Sequence, residues 1–272
     1  MQVDVNGKKN PNKDAKDRYE LAMTRYGIYP LGDKTDCSGL DCSAYTLANN
    51  KIYDGAITER EITIADCSSN QTLVNGTCAN LSCDLYQKTD NHQCVSMSQK
   101  EINEVKSKLL KASVSDFKNA VDKAAEKYGS TYGWDYPSIF SSENPPTAED
   151  YYNFWKKYFN DFLPAEKFEN GKIYLKNGAK IDFVSSGMMD AYIDIDGDKG
   201  ENTLGKDQFA FGIPKSALSS TYAKIDGNFG PYSWNEDLNT RAEALNKCKQ
   251  DTHYCAKLLE YDNWEFKDDY PY

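Results

Sequence analysis

The chain has 272 residues, a net charge of -10, 20 tyrosines and 8 cysteines, with a negative mean hydropathy. This length accommodates one large domain or two ordinary ones, and nowhere does the sequence offer the run of about 18 apolar residues that crossing a bilayer requires. A phosphate-backbone binder needs a basic footprint, and no basic stripe exists, so no nucleic acid is expected as a partner. The excess of carboxylates suits divalent cations instead.

The start, MQVDVNGKKNPNKDAKDRYE, is polar and is no signal peptide. It predicts a native chain in which a targeting or anchoring segment stands where Met1 now begins. Residues 13–27, KDAKDRYELAMTRYG, read as a short helix with Leu21, Ala22 and Tyr26 as a weak apolar face and Gly27 as its stop. Residues 1–34 are thus predicted to be an N-terminal helical segment.

Residues 35–97 shift to Cys, Asn, Ser, Thr and Asp and read as a Cys-rich insert. The cysteines are locally spaced: Cys37 and Cys42, Cys67 and Cys78, Cys83 and Cys94, Cys248 and Cys255. No C-x-x-C occurs, so zinc is poorly supported and disulfides formed in an oxidising compartment are expected. Eight cysteines allow about 105 connectivities, of which the local pairings are preferred. CSSNQTLVNGTC (67–78) and CDLYQKTDNHQC (83–94) share C-x3-Q-x3-N-x2-C, which predicts two disulfide-closed hairpins or loops. With few large apolar residues, such a segment needs covalent bridges in place of a core. The N-x-[ST] triplets at Asn70, Asn75 and Asn80 are what Asn- and Thr-rich loops produce by chance.

Residues 98–272 read as an α+β head. Ser98 and Glu101 make a capping box for a long helix carrying Ile102, Val105, Leu109, Ala112, Phe117, Val121, Ala124 and Tyr128, with Gly129 as its stop. Thr147 and Asp150 cap a second helix, 148–163, whose face of Tyr151, Phe154, Trp155, Tyr158, Phe159 and Phe162 is predicted core. The period then changes to two. KIYLKNGAKIDF (172–183) is a hairpin about Asn177-Gly178; AYIDID (191–196) and QFAFGI (208–213) are two more strands. The fold class expected is therefore α+β, with helices packed on a four-stranded antiparallel sheet and a disulfide-rich insert. The tail is helical over 238–259 and ends in the aromatic, acidic YDNWEFKDDYPY.

Between the third and fourth strands lies an acidic turn, with Asp194, Asp196, Asp198 and Glu201 among Gly197, Gly200 and Gly205. Carboxylates two residues apart resemble the opening of a calcium loop. The EF-hand form fails, because Lys199 and Gly205 stand where its glycine and closing glutamate belong. Asn202 and Asp207 complete a candidate calcium set with Asp194, Asp196 and Asp198. The alternative is structural, with Asp194 on a strand face and Asp207 and Asn202 bonding turn amides. For catalysis there is little. His92 and His253 belong to no H-E-x-x-H setting, SSG at 185–187 is no nucleophile elbow, and no P-loop or G-x-G-x-x-G occurs. Abundant acids give no reason to choose a glycosidase pair. No enzyme is expected.

IDIDGDKGENTLGKDQFAFGI (193–213), the upstream YLKNGAKIDF and the ending HYCAKLLEYDNWEFKDDYPY together resemble bacterial type IV pilin-like and type II secretion pseudopilin-like proteins, over residues 148 to 272. In those proteins the corresponding turn reads Asp-(Val/Ile)-Asn-Gly, then Lys-Gly-Pro-Asn; here Asp196 replaces the Asn and Glu201 the Pro, making the turn more acidic. The family's apolar N-terminal helix and processing site are absent, and the insert at 35–94 is no standard part of it. The resemblance implies a non-enzymatic structural subunit, with the soluble head lying in the periplasm or at the cell surface. Its partners would be other subunits of the filament and, through a missing N-terminal helix, the inner membrane. It also implies calcium in the acidic turn. The other function considered is a secreted or cell-surface module recognising a glycan or host protein through the Cys-rich insert.

Overall fold

The computed structural model describes residues 64–272 except 76, 138–144 and 201, together with three strands nearer the start: β1 (Gln2–Val3), β2 (Tyr19–Thr24) and β3 (Gly27–Pro30). The chain divides into two compact units, Met1–Ala79 and Asn80–Tyr272. In the first, β1, β2 and β3 form an antiparallel sheet in that order. The helix expected over 13–27 is therefore corrected. Tyr19, Leu21 and Met23 alternate with Glu20, Ala22 and Thr24, and that period of two prevails over the weak helical face. The hairpin of β4 (Gln71–Val74) and β5 (Thr77–Asn80) follows, and the Cys67–Cys78 disulfide ties its base. The expected pair Cys37 and Cys42 lies outside the described residues.

In the second unit the repeat recurs as β6 (Gln87–Asp90) and β7 (Gln93–Ser96), tied by Cys83–Cys94. Both halves of the repeat are thus disulfide hairpins. Helix α1 (Gln99–Tyr128) starts at the expected box. Ser98 N donates to Glu101 Oε2 at 2.8 Å, and Glu101 N donates back to Ser98 Oγ at 3.4 Å. It stops at Gly129, whose φ of 86° only glycine adopts easily. Leu110, Val114, Phe117, Val121 and Ala124, spaced by three and four, are buried along one stripe. Helix α2 (Ala148–Tyr158) is capped by Thr147 and Asp150 and buries Phe154, Trp155 and Tyr158, with Phe159 just beyond. The aromatic face is core, as expected.

The sheet has six antiparallel strands, ordered β13-β12-β11-β10-β9-β8: β8 (Ala165–Glu169), β9 (Lys172–Leu175), β10 (Lys180–Ser185), β11 (Met189–Asp194), β12 (Gln208–Ile213) and β13 (Gly230–Pro231). The four-stranded sheet is therefore corrected; the two additional strands lie at the edges. AEKFE shows one large apolar residue, so β8 lacks a pattern of its own. The turn Asn170 (φ 51°) and Gly171 (φ 82°) folds it back onto β9. β13 is two residues long, and Pro231, having no N–H, suits an edge. One face of the sheet, with Ile173, Ile181, Phe183, Ile193, Phe209 and Phe211, meets α1 and α2 in one continuous core. Phe117 is its centre, with ring centroids 5.4 Å from Phe159, 5.8 Å from Phe183 and 5.0 Å from Phe229.

Helix α3 (Ala217–Ala223) lies between β12 and β13, and α4 (Arg241–Gln250) and α5 (Cys255–Tyr261) follow the sheet. The single helix expected over 238–259 breaks at Asp251, which is extended (φ -147°, ψ 114°) and accepts His253 N on Oδ1 at 3.0 Å. The Cys248–Cys255 disulfide spans that break. No helix among the described residues is long and apolar enough to cross a membrane. Phe117→Ala is expected to lower the unfolding free energy by about 3–5 kcal/mol. Val184→Ala, at a side chain that is 45% exposed, should stay within about 0.5 kcal/mol. Urea denaturation of the two variants measures the difference.

Candidate functional site

The acidic turn runs from the end of β11 to the start of β12. Antiparallel register sets Lys180, first in β10, directly opposite Asp194, last in β11. Both side chains are buried. Lys180 Nζ lies 3.2 Å from Asp194 Oδ2 and 2.9 Å from Asp198 Oδ1, and donates to Gly197 O at 2.9 Å. An ammonium therefore sits inside the turn and meets two of its carboxylates. Asp194 Oδ1 meanwhile accepts the backbone N–H of Asp196 at 3.3 Å and of Gly197 at 3.1 Å. This is the side-chain-to-amide bonding that bends such turns. Gly197 has φ 71°, and a Cβ there would meet Gly178 O at 2.5 Å, so the Asn177-Gly178 turn and the acidic turn touch through a glycine.

On the other side of the turn, Tyr86 from the disulfide hairpin segment donates its hydroxyl to Asp196 Oδ2 at 3.2 Å. Asp207 Oδ1 accepts Thr203 N at 2.6 Å, and Lys106 of α1 donates to Lys206 O at 2.8 Å. Tyr270 donates its hydroxyl to Gly205 O. The turn is thus held by β10, the disulfide hairpin, α1 and the C-terminal tail.

Burial, with a hydrogen bond to Asp196, lifts the Asp194 carboxyl from its ordinary 3.8 to about 7; Lys180 pulls the other way and is outweighed. Burial also raises Asp207. Asp198, exposed, is lowered by its hydrogen bond to Lys180. Burial opposes the charge on Lys180, yet Asp198 and Asp194 together raise its pKa. Burial and Asp196 raise the Tyr86 hydroxyl, which keeps its proton and donates it.

Of the five expected calcium ligands, then, Asp196 bonds Tyr86, and Asp194 and Asp207 act on that hydroxyl only through their charge. Asp198 turns to Lys180, and Asn202 is exposed. Asp196 Oδ1 is buried without a hydrogen-bond partner, and Asp194 Oδ2 has the Lys180 ammonium as its partner. Among the described residues, no three His, Cys, Asp or Glu side chains converge as a metal would require. Sequence reasoning missed Lys180, which the register of β10 on β11, not the Asn177-Gly178 hairpin, places across from Asp194. Tyr86 carried no signal at all.

Residues 96–272 match DUF6613, a family of unknown function. The chain belongs to that family. No curated protein and no solved structure matches it. The DUF6613 span contains the whole acidic turn and Lys180, while Tyr86 precedes it.

Lys180→Met should leave Asp194 buried without its cation and cost about 3–5 kcal/mol at pH 8. At pH 5 the cost should be smaller, because Asp194 then takes a proton. Asp198→Ala, at an exposed carboxylate, should act as an ordinary surface substitution. The raised Asp194 pKa also fixes a sign. The folded state binds the proton more tightly than the unfolded state, so this group's contribution to stability falls as pH rises from about 4 to about 7. Asp194→Asn should remove that fall, seen as a flatter urea-midpoint-against-pH curve than that of the unaltered protein.

Proposed function

We propose that this protein is a non-enzymatic structural subunit, the extracytoplasmic head of a pilin-like or pseudopilin-like filament protein. The observation that carries the reading is the layering of the second unit. One long amphipathic helix lies on an antiparallel meander, the acidic turn joins two central strands of that meander, and a Cys-closed C-terminal segment packs against β12. Disulfides at Cys67–Cys78, Cys83–Cys94 and Cys248–Cys255 support an oxidising compartment, the periplasm or the cell surface. Because α1 begins at its own capping box, an anchoring helix in this reading joins the head through residues 1–97 rather than by running straight into α1. The partners are other subunits of the same filament, and the inner membrane before assembly.

The test is fractionation of the producing cells. The protein should be recovered with its disulfides intact among filaments sheared from the surface, or with the inner membrane before assembly. Recovery as a free cytoplasmic protein with reduced cysteines would overturn the reading.

Calcium belongs to the proposal in a narrower form. Lys180 already supplies a cation to Asp194 Oδ2 and Asp198, which leaves Asp196 Oδ1 as the unpartnered carboxylate oxygen a calcium ion would take. A site with so few carboxylates belongs to the weak end of calcium binding, about 10⁻⁴ to 10⁻³ M. Calcium at several times that concentration should raise the melting temperature, and Asp196→Asn should abolish the rise. An unmoved melting curve removes calcium and leaves the filament reading intact.

A further inference from the structure

β11 shows two faces. Ala191 and Ile193 enter the main core, while Asp190, Tyr192 and Asp194 point the other way. Asp194 has Lys180 and two turn amides. Asp190 differs: it is 6% exposed and its Oδ1 has no hydrogen-bond partner. Beside it opens a cavity of about 330 Å³, within the range of small-ligand sites. Asp190, Tyr192, Tyr232, Trp234 and His253 line it. His253 lies edge-on to Tyr192 at 6.3 Å and tilted to Tyr232 at 5.6 Å, so three rings form one continuous wall.

The cavity is built rather than left over. Its floor is Met188, fully buried, and a Cβ on Gly212 would strike Met188 Sδ at 2.3 Å. The Trp234 indole reaches the site only because residue 187 is glycine: a Cβ there would meet its ring at 2.9 Å. Burial raises the Asp190 pKa, opposed by a hydrogen bond from Ser186 and by the nearby Lys215 and His253 side chains. Lys215 donates to Ser185 Oγ at 2.6 Å and to Ser186 O at 3.1 Å, and His253 Nδ1 pairs with Asp251 Oδ1 at 2.8 Å. Neither makes a hydrogen bond to Asp190 Oδ1.

We propose that this cavity binds a primary ammonium group on a short aliphatic stem, with the Asp190 carboxylate as its acceptor and the rings of Tyr192, Tyr232 and Trp234 as its walls. Aromatic faces attract a cation and cover an alkyl stem. The unpartnered carboxylate oxygen adds a demand for a donor, which a primary ammonium meets and a quaternary one does not. The chemistry is shared by a free alkylamine and by a lysine side chain of another polypeptide.

Calorimetric titration of the whole chain at neutral pH tests this with four probes: cadaverine, Nα-acetyl-lysine methylamide, tetramethylammonium and 1-butanol. Saturable binding of cadaverine or of the lysine amide is expected, with tetramethylammonium and butanol at least about tenfold weaker. Preference between the first two tells a free amine from a side chain. Asp190→Asn should weaken the amine by about tenfold or more. Tyr232→Ala should weaken it too, and both variants should keep the far-ultraviolet circular dichroism of the parent. If a variant fails to fold, ring-proton chemical shifts of Tyr192 and Trp234 in the unaltered protein must still move with cadaverine and not with butanol. No saturable binding of either amine, equal binding of butanol, or an unchanged affinity in a folded Asp190→Asn variant overturns the proposal.

Discussion

Lys180 carries its charge while 2% exposed, facing a carboxylate that burial alone would protonate. Two buried charges repay their lost hydration only when geometry satisfies both. Here the second carboxylate, Asp198, remains in water and fixes the ammonium from outside, while Gly197 O accepts from within. The pairing also acts on the chain's course. It joins the start of β10 to the end of β11 and pins the turn that follows. That turn in turn receives Tyr86 from the disulfide hairpin, Lys106 from α1 and Tyr270 from the tail. Segments distant in sequence meet at one loop because it is short of cations and rich in acceptors.

Much of this was legible in the sequence wherever a local rule acted alone. Reciprocal caps at Ser98/Glu101 and Thr147/Asp150 fixed two helix starts, the Asn177-Gly178 turn fixed a hairpin, and shared Cys spacing gave two bridged hairpins. The failures have one physical cause, which is that tertiary pairing supplied what local pattern lacked. β8 has a hairpin turn of the same Asn-Gly type at Asn170-Gly171, yet its own residues alternate too weakly to declare a strand. β13 exists only because Phe211 and Gly212 offer it partners. The tail helix breaks at Asp251, where a side-chain bond to the His253 amide competes with the helical one. As for the site, all four aspartates and Asn202 were visible, but the cation that organises two of the aspartates was hidden in a strand that reads as ordinary.

The layering of the second unit also explains why the acidic turn tolerates so much charge. Its strands β11 and β12 are central to the sheet and cannot slip register without turning Ala191, Ile193, Phe209 and Phe211 out of the core. The apolar face therefore holds the strand ends in place, and the turn accommodates repulsion that an edge loop would relieve by opening. The division is consistent: covalent bridges secure the parts with little core, and the sheet secures the turn.

Asp190 and Asp194 make the closing comparison. They occupy the same strand and the same face, four residues apart, and both are buried. At Asp194 the fold answers the buried carboxylate with an ammonium and two amides. At Asp190 it brings Lys215 near enough to be felt but commits that ammonium to Ser185 and Ser186. A buried oxygen left without a donor costs about 1–3 kcal/mol, and a packed interior rarely retains such an atom without a use. Packing does not fill the space beside the residue, since a cavity walled by rings opens there. The oxygen, the cavity and the aromatic surround coincide at one place, and a donor arriving from outside the chain is the arrangement that satisfies all three.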